Sequence, residues 1–85
     1  MPADTASTTV KELVAANSER KSVRVINAGT ADEAVRVDID KELCKTSANI
    51  IYNRDDITFK GDIAKKRIFF VSDSGTPTVN YTEVF

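Results

Sequence analysis

The hydrophobic positions of this chain fall in short alternating runs rather than in long helical stripes. The clearest is Val35-Arg36-Val37-Asp38-Ile39-Asp40, where each apolar side chain is followed by a charged one, the mark of a strand buried on one face. Val23 and Val25 flank Arg24 in a second strand over residues 23–27, and Ile57 and Phe59 alternate with Thr58 and Lys60 until Gly61 breaks the run. Ile50-Ile51-Tyr52 predicts a short strand ended by Asn53-Arg54-Asp55-Asp56. Residues 68–72 read as a buried strand, and residues 78–85 as the closing one. Between them, residues 28–33 with Gly29 and Asp32 read as a loop, residues 41–47 as polar and irregular, and residues 72–77 as a turn.

Two segments admit more than one conformation. Val10, Leu13 and Val14 fit a helical spacing, and Thr9-x-x-Glu12 imitates a capping box. As a strand, the same stretch puts Val10, Glu12 and Val14 on one face. The strand is preferred because an isolated helix this short is marginal and its neighbours are β; a single helical turn ending at Asn17 is the alternative. Residues 62–67 also admit one helical turn. Residues 1–8 are small and polar with nothing to bury, and are expected to form a flexible arm. The expected fold is all-β: a small antiparallel sandwich or barrel of six to seven short strands, with the arm over residues 1–8 and a single β domain over residues 9–85.

Composition supports strands, with 9 Val, 7 Ile and 9 Thr against 2 Leu. Eighty-five residues make one domain with a thin stability margin. The single cysteine, Cys44, cannot form an internal disulfide. A homo-oligomer, or docking to a larger assembly, is therefore an expected source of extra buried area. The net charge of −1 argues against a general nucleic-acid binder and against a polybasic membrane module. No apolar stretch approaches the ~18–20 residues of a transmembrane helix. The first residues lack the basic and apolar parts of a signal peptide, so a soluble chain made in the cytosol is expected.

Reaction chemistry is sparse. Histidine is absent, removing the commonest general base and metal ligand. Cys44 precedes Lys45, which can activate a thiol, but an incidental small loop residue is the better reading. Asp38, Asp40 and Glu42 would share one strand face, with Asp55 and Asp56 nearby, yet the calcium-loop pattern is missing and a solvated β face explains the row. Lys65-Lys66-Arg67 is the only basic run and suits a solvated turn, or a contact to an acidic partner, better than nucleic acid. Asn80-Tyr81-Thr82 matches a glycosylation acceptor by chance, and the 3 glycines form no phosphate-binding loop. No catalytic residue, cofactor or metal is assigned, and an enzyme is not expected. Phe69, Phe70, Tyr81 and Phe85 serve either as core or as interface anchors. Because Phe69 and Phe70 are neighbours on one strand, they face opposite sides, so packing of both would mean a strand covered on both faces.

The stretch Leu13-Val14-Ala15-Ala16-Asn17-x-x-Arg20-Lys21, followed by an apolar strand ending in Asn27, resembles the small virion proteins of tailed bacteriophages that decorate capsids or form head fibres. Ile57-Thr58-Phe59-x-Gly61-Asp62, then Ile68-Phe69-Phe70-Val71-Ser72-Asp73-Ser74-Gly75 and the closing Val79-Asn80-Tyr81-Thr82-Glu83, are similar in layout. The resemblance runs over residues 10–84 and departs from the pattern between Asp40 and Asn53. It implies a compact β domain on the capsid surface of a virion, synthesised in the bacterial host cytoplasm, that binds the major capsid protein or another shell protein. A homo-oligomer, a trimer first, with no catalysis, cofactor, nucleic acid or membrane, goes with it. Thr8, Thr9, Val10, Arg20, Lys21, Tyr81 and Phe85 are the expected partner contacts. For Asn17 and Arg20 a duller role competes, stitching the corner through side-chain to backbone bonds. A tail, neck or baseplate component, or a small cytosolic binding or regulatory module, are the other readings.

Overall fold

The computed structural model describes residues 3–29 and 33–85. Eight short strands form two four-stranded antiparallel sheets stacked as an open sandwich. They are β1 (Ala3–Thr5), β2 (Lys11–Val14), β3 (Ser22–Asn27), β4 (Val35–Asp38), β5 (Ile50–Ile51), β6 (Asp56–Lys60), β7 (Ile68–Ser72) and β8 (Thr78–Val84). One sheet runs β1-β8-β3-β6 and the other β2-β7-β4-β5. Short 3₁₀ turns at Lys41–Thr46 and Gly61–Lys65 follow β4 and β6. Every connection except β4 to β5 carries the chain from one sheet to the other.

Register sorts the side chains. Val25 pairs with Ile57 on one side and with Tyr81 on the other, and Val23 pairs with Phe59, so these residues share the inner face of the first sheet. Val35, Val37, Ile51, Ile68 and Phe70 fill the inner face of the second. The alternation of residues 35–38 thus emerges as buried Val35 and Val37 between the partly exposed Arg36 and Asp38. Between Glu12 and Val14 the register shifts, and a bulge seats both Leu13 and Val14 in the core. Within residues 10–16, Lys11–Val14 is therefore a strand, and no helical turn forms.

The N-terminal expectation needs correction. Ala3–Thr5 is a strand paired with β8, and Ala6 behind it is fully buried, its N–H donating to the Pro77 carbonyl at 2.9 Å. Backbone pairing, which needs no apolar side chain, makes this the eighth strand. Met1 and Pro2 of the expected arm, and Thr30, Ala31 and Asp32 of the expected loop, lie outside the described residues. The acidic row is also redrawn. β4 ends at Asp38, and Asp40 caps the first 3₁₀ turn by accepting from the Glu42 N–H at 2.9 Å, so the carboxylates do not line a single strand face.

The two outer faces differ in character. On the first sheet Ser22, Arg24, Thr58, Lys60, Thr78 and Thr82 point to solvent. On the second, the turn Lys41–Thr46 lies across β4 and β7 and buries Cys44 against them, with its thiol reaching the Arg36 carbonyl at 3.6 Å. That turn covers only part of the face. Val71 is buried, while Phe69 remains half-exposed.

Candidate functional site

The corner over residues 17–21 is built by Asn17 and Arg20. Asn17 accepts from the Glu19 N–H through its side chain at 2.9 Å, and its own N–H donates to the Lys65 carbonyl at 2.9 Å. Arg20 is fully buried. Its guanidinium donates to the carbonyls of Ala15 (3.1 Å), Lys66 (2.8 Å) and Ala64, and meets the Glu83 carboxylate at 3.5 Å. A rigid fork of donors thus gathers the end of β2, the second 3₁₀ turn and β8 at one end of the sandwich. Arg20 is accordingly withdrawn from the partner contacts. Its bonds are spent inside the chain, and the stitching role is the one its geometry fills.

Tyr81 is likewise partly buried and packs on the core, because its register with Val25 turns it inward. The remaining expected contacts reach the surface. Thr8, Thr9 and Lys21 are exposed, Val10 is half-buried, and Phe85 is 59% exposed. Phe85 has company that the sequence did not reveal. Val84, whose N-terminal neighbours hold the last strand, is 51% exposed, and Ile63 on the second 3₁₀ turn is 47% exposed. The Lys21 N–H donates to the Val84 carbonyl at 2.7 Å, and Lys60, Ser22 and Val84 lie in one cross-strand row. One end of the molecule therefore presents large apolar side chains among Lys21, Lys60 and Lys65.

A second surface lies over the uncovered part of the β7 outer face. Phe69 and Ile39 line an open depression of about 540 Å³ together with Ala16, Lys41, Lys66 and Arg67. Lys41 joins it to a neighbour of about 310 Å³ beside Thr9 and Val10, and Lys45 joins that to a third of about 190 Å³ beside Thr8 and Val71. The three make one trough between the first 3₁₀ turn and the segments flanking β2. Thr8, Thr9 and Val10 are brought together with residues far along the chain.

The other candidates carry no chemistry here. Burial, and then the Asp38 charge, push the Cys44 thiol up to about 11, so it is protonated and inert near neutrality. Hydrogen bonds donated to the Asp73 carboxylate hold the Arg36 guanidinium more firmly charged, and Arg36 also donates to the Ser47 carbonyl at 2.8 Å. Among the described residues no three His, Cys, Asp or Glu side chains converge as metal ligands. Comparison of the chain with protein-family models, with curated proteins and with solved structures gave no match.

Proposed function

We propose that this chain is a structural protein of a tailed-phage virion that decorates or cements the capsid exterior through protein–protein contacts. The observation that carries the reading is the exposure of Ile63, Val84 and Phe85 on two segments, the second 3₁₀ turn and the end of β8, that Arg20 draws together at the corner end of the sandwich. Exposed apolar side chains set among charged ones are the composition of a protein-contact surface. The corner motif and strand layout that resemble small phage virion proteins point the same way. Weak contacts of this kind become effective when a small domain is repeated over a lattice, because each copy or each subunit of a trimer raises the effective concentration of the others. Neighbouring copies would also shelter open edge strands, which are β1 and β6 in one sheet and β2 and β5 in the other.

The direct test is mass spectrometry of gradient-purified, DNA-filled particles from a lysate of the source phage. Many copies per particle, reduced by Phe85→Ser, support a capsid role. A few copies per particle move the chain to the tail or neck. Absence from particles, with the chain free in the lysate, removes the virion reading.

A further inference from the structure

We propose that the trough over β7 binds an extended acidic segment of a protein partner, one that carries an aromatic or aliphatic anchor for the Phe69–Ile39 depression. This deepens the shell-contact reading and rests on it for the identity of the partner.

Shape comes first. The trough touches the β7 strand at its two ends, at Arg67 and Phe69 and again at Val71 to Asp73, and runs between them past Thr9 and Val10. Arg67 to Asp73 spans about 20 Å at ~3.3 Å per residue, enough for roughly six extended residues. Its apolar part is the larger end, where Phe69, Ile39 and Ala16 line it, and the rest is lined mostly by polar side chains. The largest depression, about 540 Å³, is of a size that accepts a bulky side chain.

Charge decides the partner's sign. Lys45, Lys41 and Lys66 stand along the trough, and among the described residues none of them takes part in a salt bridge. Arg67 is tied only loosely, to Glu12 at 3.7 Å on an exposed surface. The acidic groups are more occupied: Asp73 pairs with Arg36, and Asp40 caps the turn. Glu42 is the remaining uncommitted carboxylate on the wall. At the largest depression Lys41, Lys66 and Arg67 face the single carboxylate Asp40, so the excess charge there is positive and favours an acidic partner.

A peptide is favoured over single-stranded nucleic acid. Nucleic-acid grooves stack successive bases on several aromatics, whereas Phe69 is the single aromatic lining this trough. Asp40 and Glu42 on its wall would also oppose a phosphate backbone. A peptide can place its few carboxylates against the lysines and turn other residues toward those carboxylates.

The test uses the purified full chain and three fluorescein-labelled probes: the peptide Glu-Ser-Asp-Phe-Asp-Leu-Ser-Glu, its counterpart with every acid replaced by lysine, and an oligothymidylate. Anisotropy titrations at low ionic strength are expected to show saturable binding of the acidic peptide alone. Lys66→Glu, an exposed substitution that leaves the fold intact by circular dichroism, should weaken it by about tenfold or more. Phe69→Ala should weaken it separately by removing the anchor's platform. Failure of the acidic peptide to bind, or binding unchanged by Lys66→Glu, overturns the proposal. Binding of oligothymidylate in its place reassigns the trough to nucleic acid. A chain found on particles that ignores the peptide loses only the trough, whereas one that binds it but is absent from particles loses only the virion assignment.

Discussion

Asn27, in one sheet, donates through Nδ2 to the carbonyl of Ile51 in the other at 3.0 Å. The same amide donates to the Glu33 carbonyl at 2.7 Å, and its oxygen accepts the Gly29 N–H at 3.0 Å. The backbone of Asn27 closes the circuit, accepting from the Arg54 N–H at 2.8 Å and donating to the Asp55 carbonyl at 3.0 Å. A fully buried polar side chain with both amide hydrogens and its oxygen bonded thus pins the crossing from β5 to β6 against the end of β3.

Removing that side chain should be costly. Asn27→Ala strands two carbonyls and an N–H in the interior, and a loss of about 2–3 kcal/mol is expected in urea denaturation. Asn27→Asp keeps the shape but points a carboxylate at two carbonyl oxygens. The folded state then favours the protonated acid and holds its pKa above the unfolded value. The variant is expected to be destabilised near neutrality and to recover part of the loss under acid, which denaturation at the two conditions would show.

Arg20 anchors the opposite end. Arg20→Ala leaves the carbonyls of Ala15, Ala64 and Lys66 without their donor and Glu83 without its counter-charge. About 3–5 kcal/mol of stability should disappear, a large share for a domain of this size. Arg20→Lys keeps the charge and loses the fork, so it should fall between the two. If both variants melt with the parent, Arg20 is not holding the corner.

Alternation made β3, β4 and β6 legible, because Val23, Val25, Val35, Val37 and Phe59 each sit inward at a period of two. It was silent on β1, since Ala3-Asp4-Thr5 offers no apolar side chain and the strand rests on its ladder to β8 and on the neighbouring Ala6. At Asp40, alternation continues in the sequence after the strand has ended, because a side-chain cap there outweighs the pattern. The corner was recognisable as a turn, and stitching by Asn17 and Arg20 was among its readings. The Arg20 partners at Ala64, Lys66 and Glu83 lie far along the chain, however, and only the fold brings them to it. The trough was hidden for another reason. Lys41 and Lys66 meet at one depression through the packing of a 3₁₀ turn and a strand end, and no local spacing encodes that meeting.

Two glycines should respond differently to alanine. At Gly29 a new Cβ would lie 2.8 Å from the Pro77 Cβ and 3.1 Å from the Asn27 Oδ1. Pro77 is buried and its ring cannot swing away, so Gly29→Ala is expected to cost about 1–3 kcal/mol and to disturb the Asn27 network. Gly61 has a φ of 68°, but nothing stands within 4 Å of the added atom. Gly61→Ala should therefore lose only the ~1 kcal/mol of left-handed strain. Thermal melts of the pair would separate steric from conformational cost.

Cys44 ties stability to alkaline pH. Its thiol is raised from the ordinary 9.0 to about 11, chiefly by burial and secondarily by the Asp38 charge. Between those values the unfolded chain releases this proton and the folded chain keeps it, so the unfolded state binds fewer protons and stability falls as pH rises. The contribution is fully present below about 9 and is lost by about 11. A difference of about two pKa steps corresponds to roughly 2–3 kcal/mol across that window. Cys44→Ala removes the titration at the cost of a small cavity. Lysines titrate in the same range in both proteins, so the informative quantity is the difference between them. The parent should lose stability faster than Cys44→Ala from about 9 to about 11, and parallel curves in urea denaturation would show that the thiol is not held away from solvent.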